Sequence, residues 1–142
     1  MAETRRPTGV AVLAILSAIG GVLCLIGAAV IGILAEALSE TIGGARAPFA
    51  GLLAEMVMVI AAVLAITGIL LFVDAYGLWT GRSWAWWLTI ILSVIGIMGG
   101  LLSSVIGIIS IIIGILIIYY FTRPHVKEFF GLAAPPPPPP PP

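Results

Sequence analysis

The sequence predicts an all-α, polytopic membrane protein: four transmembrane helices arranged as two hairpins, followed by a disordered proline-rich tail. Three observations predict it. From Ser83 to Thr122 the chain runs 40 residues without Asp, Glu, Lys, Arg or His. As helix at 1.5 Å per residue, that run reaches roughly 60 Å, about twice the hydrocarbon thickness of a bilayer. The 142 residues are 61% hydrophobic and 8% charged, against about 25% charged in soluble domains. Finally, Pro135 to Pro142 is an unbroken proline run.

The elements follow in order. An N-terminal segment, 1–8, precedes a four-helix domain over 9–130, with spans near 9–35, 52–78, 84–102 and 104–121; a tail covers 131–142. The uncharged stretch Gly9 to Leu34 is long enough to cross with tilt. Ala35-Glu36-Ala37 has the small-x-small form of a signal-peptidase site. The apolar run before it exceeds the length of a signal h-region, so the helix is expected to stay. Ile42-Gly43-Gly44-Ala45-Arg46-Ala47-Pro48 reads as a turn-rich connector. The second span has its uncharged centre at Met56 to Val73, and Thr80-Gly81-Arg82-Ser83 is a tight connector. The turn between spans three and four falls at Gly99-Gly100 or at Ser103-Ser104, because glycine permits positive φ and serine can bond nearby backbone. A three-span alternative leaves part of this run re-entrant, which would require burying it in protein.

Basic residues orient the chain. An even number of spans collects Arg5, Arg6, Arg82, Arg123 and Lys127 on one side and Arg46 on the other. Both termini are therefore expected in the cytoplasm of a multi-pass cell-membrane protein. Trp79, Trp84, Trp86 and Trp87 crowd the Arg82 loop, and Tyr119 and Tyr120 end span four. Such rings anchor at the headgroup level, where one edge is wet and the body apolar.

Small residues recur at every fourth position: Gly20, Cys24, Ala28 and Gly32 in span one; Gly96, Gly100 and Ser104, and Gly99, Ser103 and Gly107, in the second hairpin. Spacing of this kind lets helix backbones approach closely in lipid, within one bundle or between copies. There is also an internal echo. Ile15-Leu16-Ser17-Ala18-Ile19-Gly20 matches Ile91-Leu92-Ser93-Val94-Ile95-Gly96, and Gly68-Ile69-Leu70 matches Gly114-Ile115-Leu116, as two tandem hairpins would.

Few groups could carry chemistry. Asp74 lies five residues before Trp79, about 7–8 Å deeper than the aromatic belt on a straight helix. A carboxylate there is costly unless paired, hydrated or protonated. It reads either as an interfacial residue reaching Arg82 or headgroups, or as a proton- or cation-handling group facing the bundle interior. Glu55 sits near the opposite end of the same span. Cys24, the single cysteine, lies mid-helix without nearby positive charge and reads as a packing residue. His125 lacks partners at ligand spacing, so no metal or cofactor is expected. Zero net charge, without a basic face, excludes nucleic-acid binding. No nucleophile elbow, phosphate-cradling loop or pair of catalytic carboxylates occurs, so no catalytic role is expected.

Three stretches carry a resemblance: Arg6-Pro7-Thr8-Gly9-Val10-Ala11-Val12-Leu13-Ala14-Ile15-Leu16, the segment Tyr76 to Trp87 around Trp79-Thr80-Gly81-Arg82, and Tyr119 to Phe130 around Thr122-Arg123-Pro124-His125. In these the chain resembles a group of small four-helix integral membrane proteins of prokaryotes, common in archaea. The proline run is not part of that pattern. The resemblance implies architecture and carries no activity with it. The expected role is structural or accessory, as a homo-oligomer or a small subunit of a membrane complex; the alternative is a small oligomeric transporter or channel using Asp74. The expected partners are lipid, other membrane subunits and, for the tail, a proline-recognising domain docking polyproline II.

Overall fold

The computed structural model describes residues 6–42, 48–103, 105–132 and 137–142. It is all-helical over these residues, with five helices: α1 Thr8–Ile42, α2 Pro48–Thr80, α3 Ser83–Leu101, α4 Val105–Phe121 and α5 Pro124–Phe129. Three of them, over Thr8–Thr41, Phe49–Thr80 and Ser83–Leu102, are long and apolar enough to cross a membrane. At 17 residues, α4 is shorter. Arg5, the connector 43–47 with Arg46, Ser104, Pro135 and Pro136 lie outside the described residues.

Local chemistry explains where the helices start and stop. At the head of α1, the Pro7 carbonyl accepts from the Val10 and Ala11 amides at 3.0 and 3.2 Å. Pro48 opens α2 at a position where its missing N–H costs nothing. The same helix ends at Gly81, whose φ of 68° is open to glycine and strained for other residues. The Arg82 amide then reaches back to the Gly77 carbonyl at 3.1 Å, closing a Schellman turn. Leu132 repeats the device on the Lys127 carbonyl at 2.9 Å, with Gly131 at φ 70°. Between α3 and α4 no such glycine is used. The Leu102 and Ser103 amides close onto the Gly99 and Gly100 carbonyls at 3.2 and 3.1 Å, a tightening common at helix ends. The turn thus takes in Leu102 and Ser103, and Gly99 and Gly100 remain in the last turn of α3.

The sequence reading contains no α5. Arg123 precedes a proline and is driven to extended backbone (φ −66°, ψ 140°), which breaks the chain out of α4. Pro124 then restarts a helix at its first position. Six residues are too few to show a 3.6-residue period, so only these punctuation residues signal it.

Two compact units make up the chain. The first comprises Met1–Ala14 and Tyr76–Pro142, and the second Ile15–Ala75. In the first unit the buried core is Val10, Ala14, Leu78, Ala85, Phe121, Val126 and Phe130. Phe121 stacks on Phe130 with centroids 5.8 Å apart and planes at 27°. The Phe129 ring lies against Gly81, where an added Cβ would meet it at 2.9 Å. α3 and α4 pack antiparallel along Ser93, Ile97 and Gly100 on one side and Gly107 and Gly114 on the other. At one end an added Cβ on Gly107 would fall on the Gly100 carbonyl. At the other, Trp86 Nε1 donates to the Phe121 carbonyl at 2.9 Å.

In the second unit, α1 meets α2 where Gly21 faces Gly68. A Cβ on Gly21 would lie 3.0 Å from the Gly68 carbonyl oxygen, and one on Gly68 would lie 3.1 Å from that of Gly21. Hydroxyls along these helices bond back to their own backbone, Thr67 to Val63 O and Thr41 to Ala37 O, each at 2.8 Å. That disposes of polar groups which lipid could not satisfy. Facing outward are large apolar side chains, Leu23, Ile33, Val59 and Ile66 among them.

Candidate functional site

Asp74 is the most buried carboxylate among the described residues, 2% exposed on a helix otherwise lined with exposed apolar side chains. Ser17 of α1 donates to its Oδ2 at 3.3 Å within the second unit. A carboxylate on an apolar helix needs such partners, because removing the ion from water costs several kcal/mol. Nothing in the spacing of the chain points to Ser17, which lies 57 residues away.

Glu55 is exposed on α2 and lines an open hollow of 220 Å³ with Glu36, Ser39, Ala35, Ala54 and Met58. Ser39 Oγ is committed to the Glu36 carbonyl at 2.7 Å. Among the described residues no group of three or more His, Cys, Asp or Glu could hold a metal ion. The His125 ring packs edge-on to Tyr120 at 5.8 Å, and Cys24 is a half-buried free thiol.

The aromatic residues gather at one end of the first unit and hold cations there. Arg6 lies over the Trp79 ring at 3.9 Å and donates to the Trp79 carbonyl. Arg123 lies over Tyr119 at 4.6 Å and donates to its hydroxyl. Lys127 sits 5.9 Å from the Trp86 ring, and Trp86 meets Trp87 edge-on at 4.9 Å. Trp84 packs on Gly77, where an added Cβ would meet its ring at 2.7 Å. Tyr120 covers Gly9. Arg82 stays exposed beside Gly81.

The small residues singled out by spacing divide. Gly100 makes a backbone contact, and Gly20 has ordinary contact with Leu71, 3.5 Å from an added Cβ. Cys24 and Ala28 are half-buried on α1. Gly32, Gly96 and Gly99 would offer an added Cβ nothing within 4 Å. The tightest approaches in the second unit belong to Gly21 and Gly68, and in the α3–α4 pair to Gly107, Gly100 and Gly114. Gly68 and Gly114 open the second echo, which is the one sequence signal that marks them.

Set against protein-family profiles, curated proteins and solved structures, the chain matches none of them.

Proposed function

We propose that this is a four-span membrane protein with both termini in the cytoplasm, acting as a structural or accessory component of a homo-oligomer or larger membrane complex. The supporting observation is the inversion of polarity: large apolar side chains face outward on α1 to α4, while Asp74, Thr89 and Ser93 are buried. For the fourth span, the support is the pairing of α4 with α3 from Gly100·Gly107 to Trp86·Phe121. A helix that runs the length of a crossing partner and returns to its starting end crosses with it. At about 26 Å, α4 reaches most of the way through the hydrocarbon layer. The resemblance to small archaeal-type four-helix proteins agrees with this architecture, and the proline tail would extend into the cytoplasm as a polyproline II ligand.

Labelling of single cysteines placed at position 2 and position 142 of a Cys24→Ser chain in intact cells tests the topology. Both sites are expected to be protected until the membrane is permeabilised, and labels on opposite faces would remove the four-span reading. Crosslinking in cells followed by mild-detergent purification tests the accessory role; an isolated monomer without partners would contradict it.

The buried Asp74–Ser17 pair favours a second reading, proton or cation movement through an oligomer. Flux into proteoliposomes should then fall to background in Asp74→Asn, since the amide cannot carry the exchangeable charge. Background flux in both wild type and variant leaves the structural role alone.

A further inference from the structure

Three cations are held on aromatic rings at one end of the first unit, and a fourth, Arg82, follows the glycine on which α5 is seated. Arg6 is held on Trp79, three residues before Arg82; Phe129 of α5 is seated on Gly81 beside it; Lys127 of the same helix lies over Trp86; and Arg123 precedes α5 on Tyr119. Among the described residues none of the four is ion-paired, and Glu128 is the one carboxylate on this segment. The rings orient the cationic groups at the headgroup level, where aromatic side chains settle. Four positive charges against the single carboxylate of Glu128, set among aromatic rings, are complementary to an anionic phosphodiester.

We propose that this end of the first unit, with α5 as its floor, binds the phosphodiester headgroup of an anionic lipid through Arg6, Arg82, Arg123 and Lys127. Arg6, Arg123 and Lys127 are held on rings, so those side chains have less freedom left to lose on binding. The proposal rests on the bilayer reading above and adds a lipid preference to it.

Native mass spectrometry of the full chain in mild detergent, titrated with phosphatidylglycerol or phosphatidylcholine, provides the test. Phosphatidylglycerol should be retained at least about tenfold better, and the preference should shrink roughly tenfold or more in Arg123→Gln/Lys127→Gln. Arg46→Gln, the same kind of charge loss in the α1–α2 connector, should leave it unchanged. Thermal midpoints of all variants report whether each is folded, and Arg6→Gln serves as the second variant should the double one not fold. Equal retention of the two lipids, or an equal loss in Arg46→Gln, overturns the proposal. Competition by inorganic phosphate or glycerol phosphate at matched concentration also overturns it, reassigning the site to a soluble anion. Flotation of carbonate-washed liposomes reads the bilayer premise separately: a chain that does not float has lost that premise, whereas one that floats without lipid preference has lost the headgroup site alone.

Discussion

Replacing Gly107 by valine is expected to break the α3–α4 pairing. A Cβ at this position would fall on the Gly100 carbonyl, which is backbone and cannot rotate aside. Overpacking that side chains can absorb costs typically about 1–3 kcal/mol. Here a helix must move, so the loss should lie at or above the top of that range. In a chain of this size it corresponds to a drop of roughly 10 °C in thermal midpoint. Gly99→Val provides the comparison, since Gly99 is exposed on the same helix pair and an added Cβ meets nothing within 4 Å. Its stability should stay within about 0.5 kcal/mol of wild type, as for other exposed positions. Equal drops in both variants would mean that helix propensity, not the backbone contact, sets the result.

Phe121→Ala should be at least as severe, by the opposite mechanism. The side chain is fully buried, stacks on Phe130 and joins α4 to the core shared by Val10, Leu78, Ala85 and Val126. Truncating a buried phenylalanine costs about 3–5 kcal/mol, from lost transfer energy plus the cavity left behind. Because α5 is held largely through Phe130, Val126 and Phe129, amide hydrogen exchange over Pro124–Phe129 should accelerate more than exchange in α3. Unchanged protection of α5 would show that its seat does not depend on the stack. In a double-mutant cycle with Phe130→Ala, the two losses should fall short of additivity by about 0.5–1.5 kcal/mol, the typical worth of an aromatic pair.

Parts of this architecture were open to reading from residues alone. Ser83 to Thr122 carries no charge, and two apolar helices with a turn between them is the simplest arrangement of it; the structure has α3 and α4 there. Trp79, Tyr119 and Trp86 read as border residues from the sequence, and in the first unit each ring has a cation over it. Spacing did less well with the glycines. A four-residue recurrence picks out Gly96 as readily as Gly100, yet an added Cβ meets nothing at the first and the Gly107 carbonyl oxygen at 2.7 Å at the second. A recurrence does not say which face of a helix meets its neighbour.

The internal echo reaches further than its letters. Gly21 and Ile97 each stand six residues after the start of the first echo, at Ile15 and Ile91. Gly68, in the second echo, packs against residues 21 and 25; Gly114, its counterpart, packs against Ile97 and the Ser93 carbonyl. The two hairpins therefore share one contact, at residues 21 and 97, while the second contact of each glycine differs. Ser17 and Ser93 also occupy matching places, but one bonds Asp74 and the other the Thr89 carbonyl at 2.7 Å. The sequence match cannot foretell that difference, because a serine's partner depends on the opposite helix.

Membrane character and helical class could be had from the residues one at a time. Transfer into lipid is close to a sum over side chains, and a backbone in lipid must satisfy its own hydrogen bonds, so neither needs a neighbour to be known. Which glycines touch, that Asp74 turns inward to Ser17, and that α5 folds back onto Gly81 depend instead on how each helix is rotated about its axis. Helices apolar on every side carry no polar face to set that rotation, and close packing of particular side chains sets it instead.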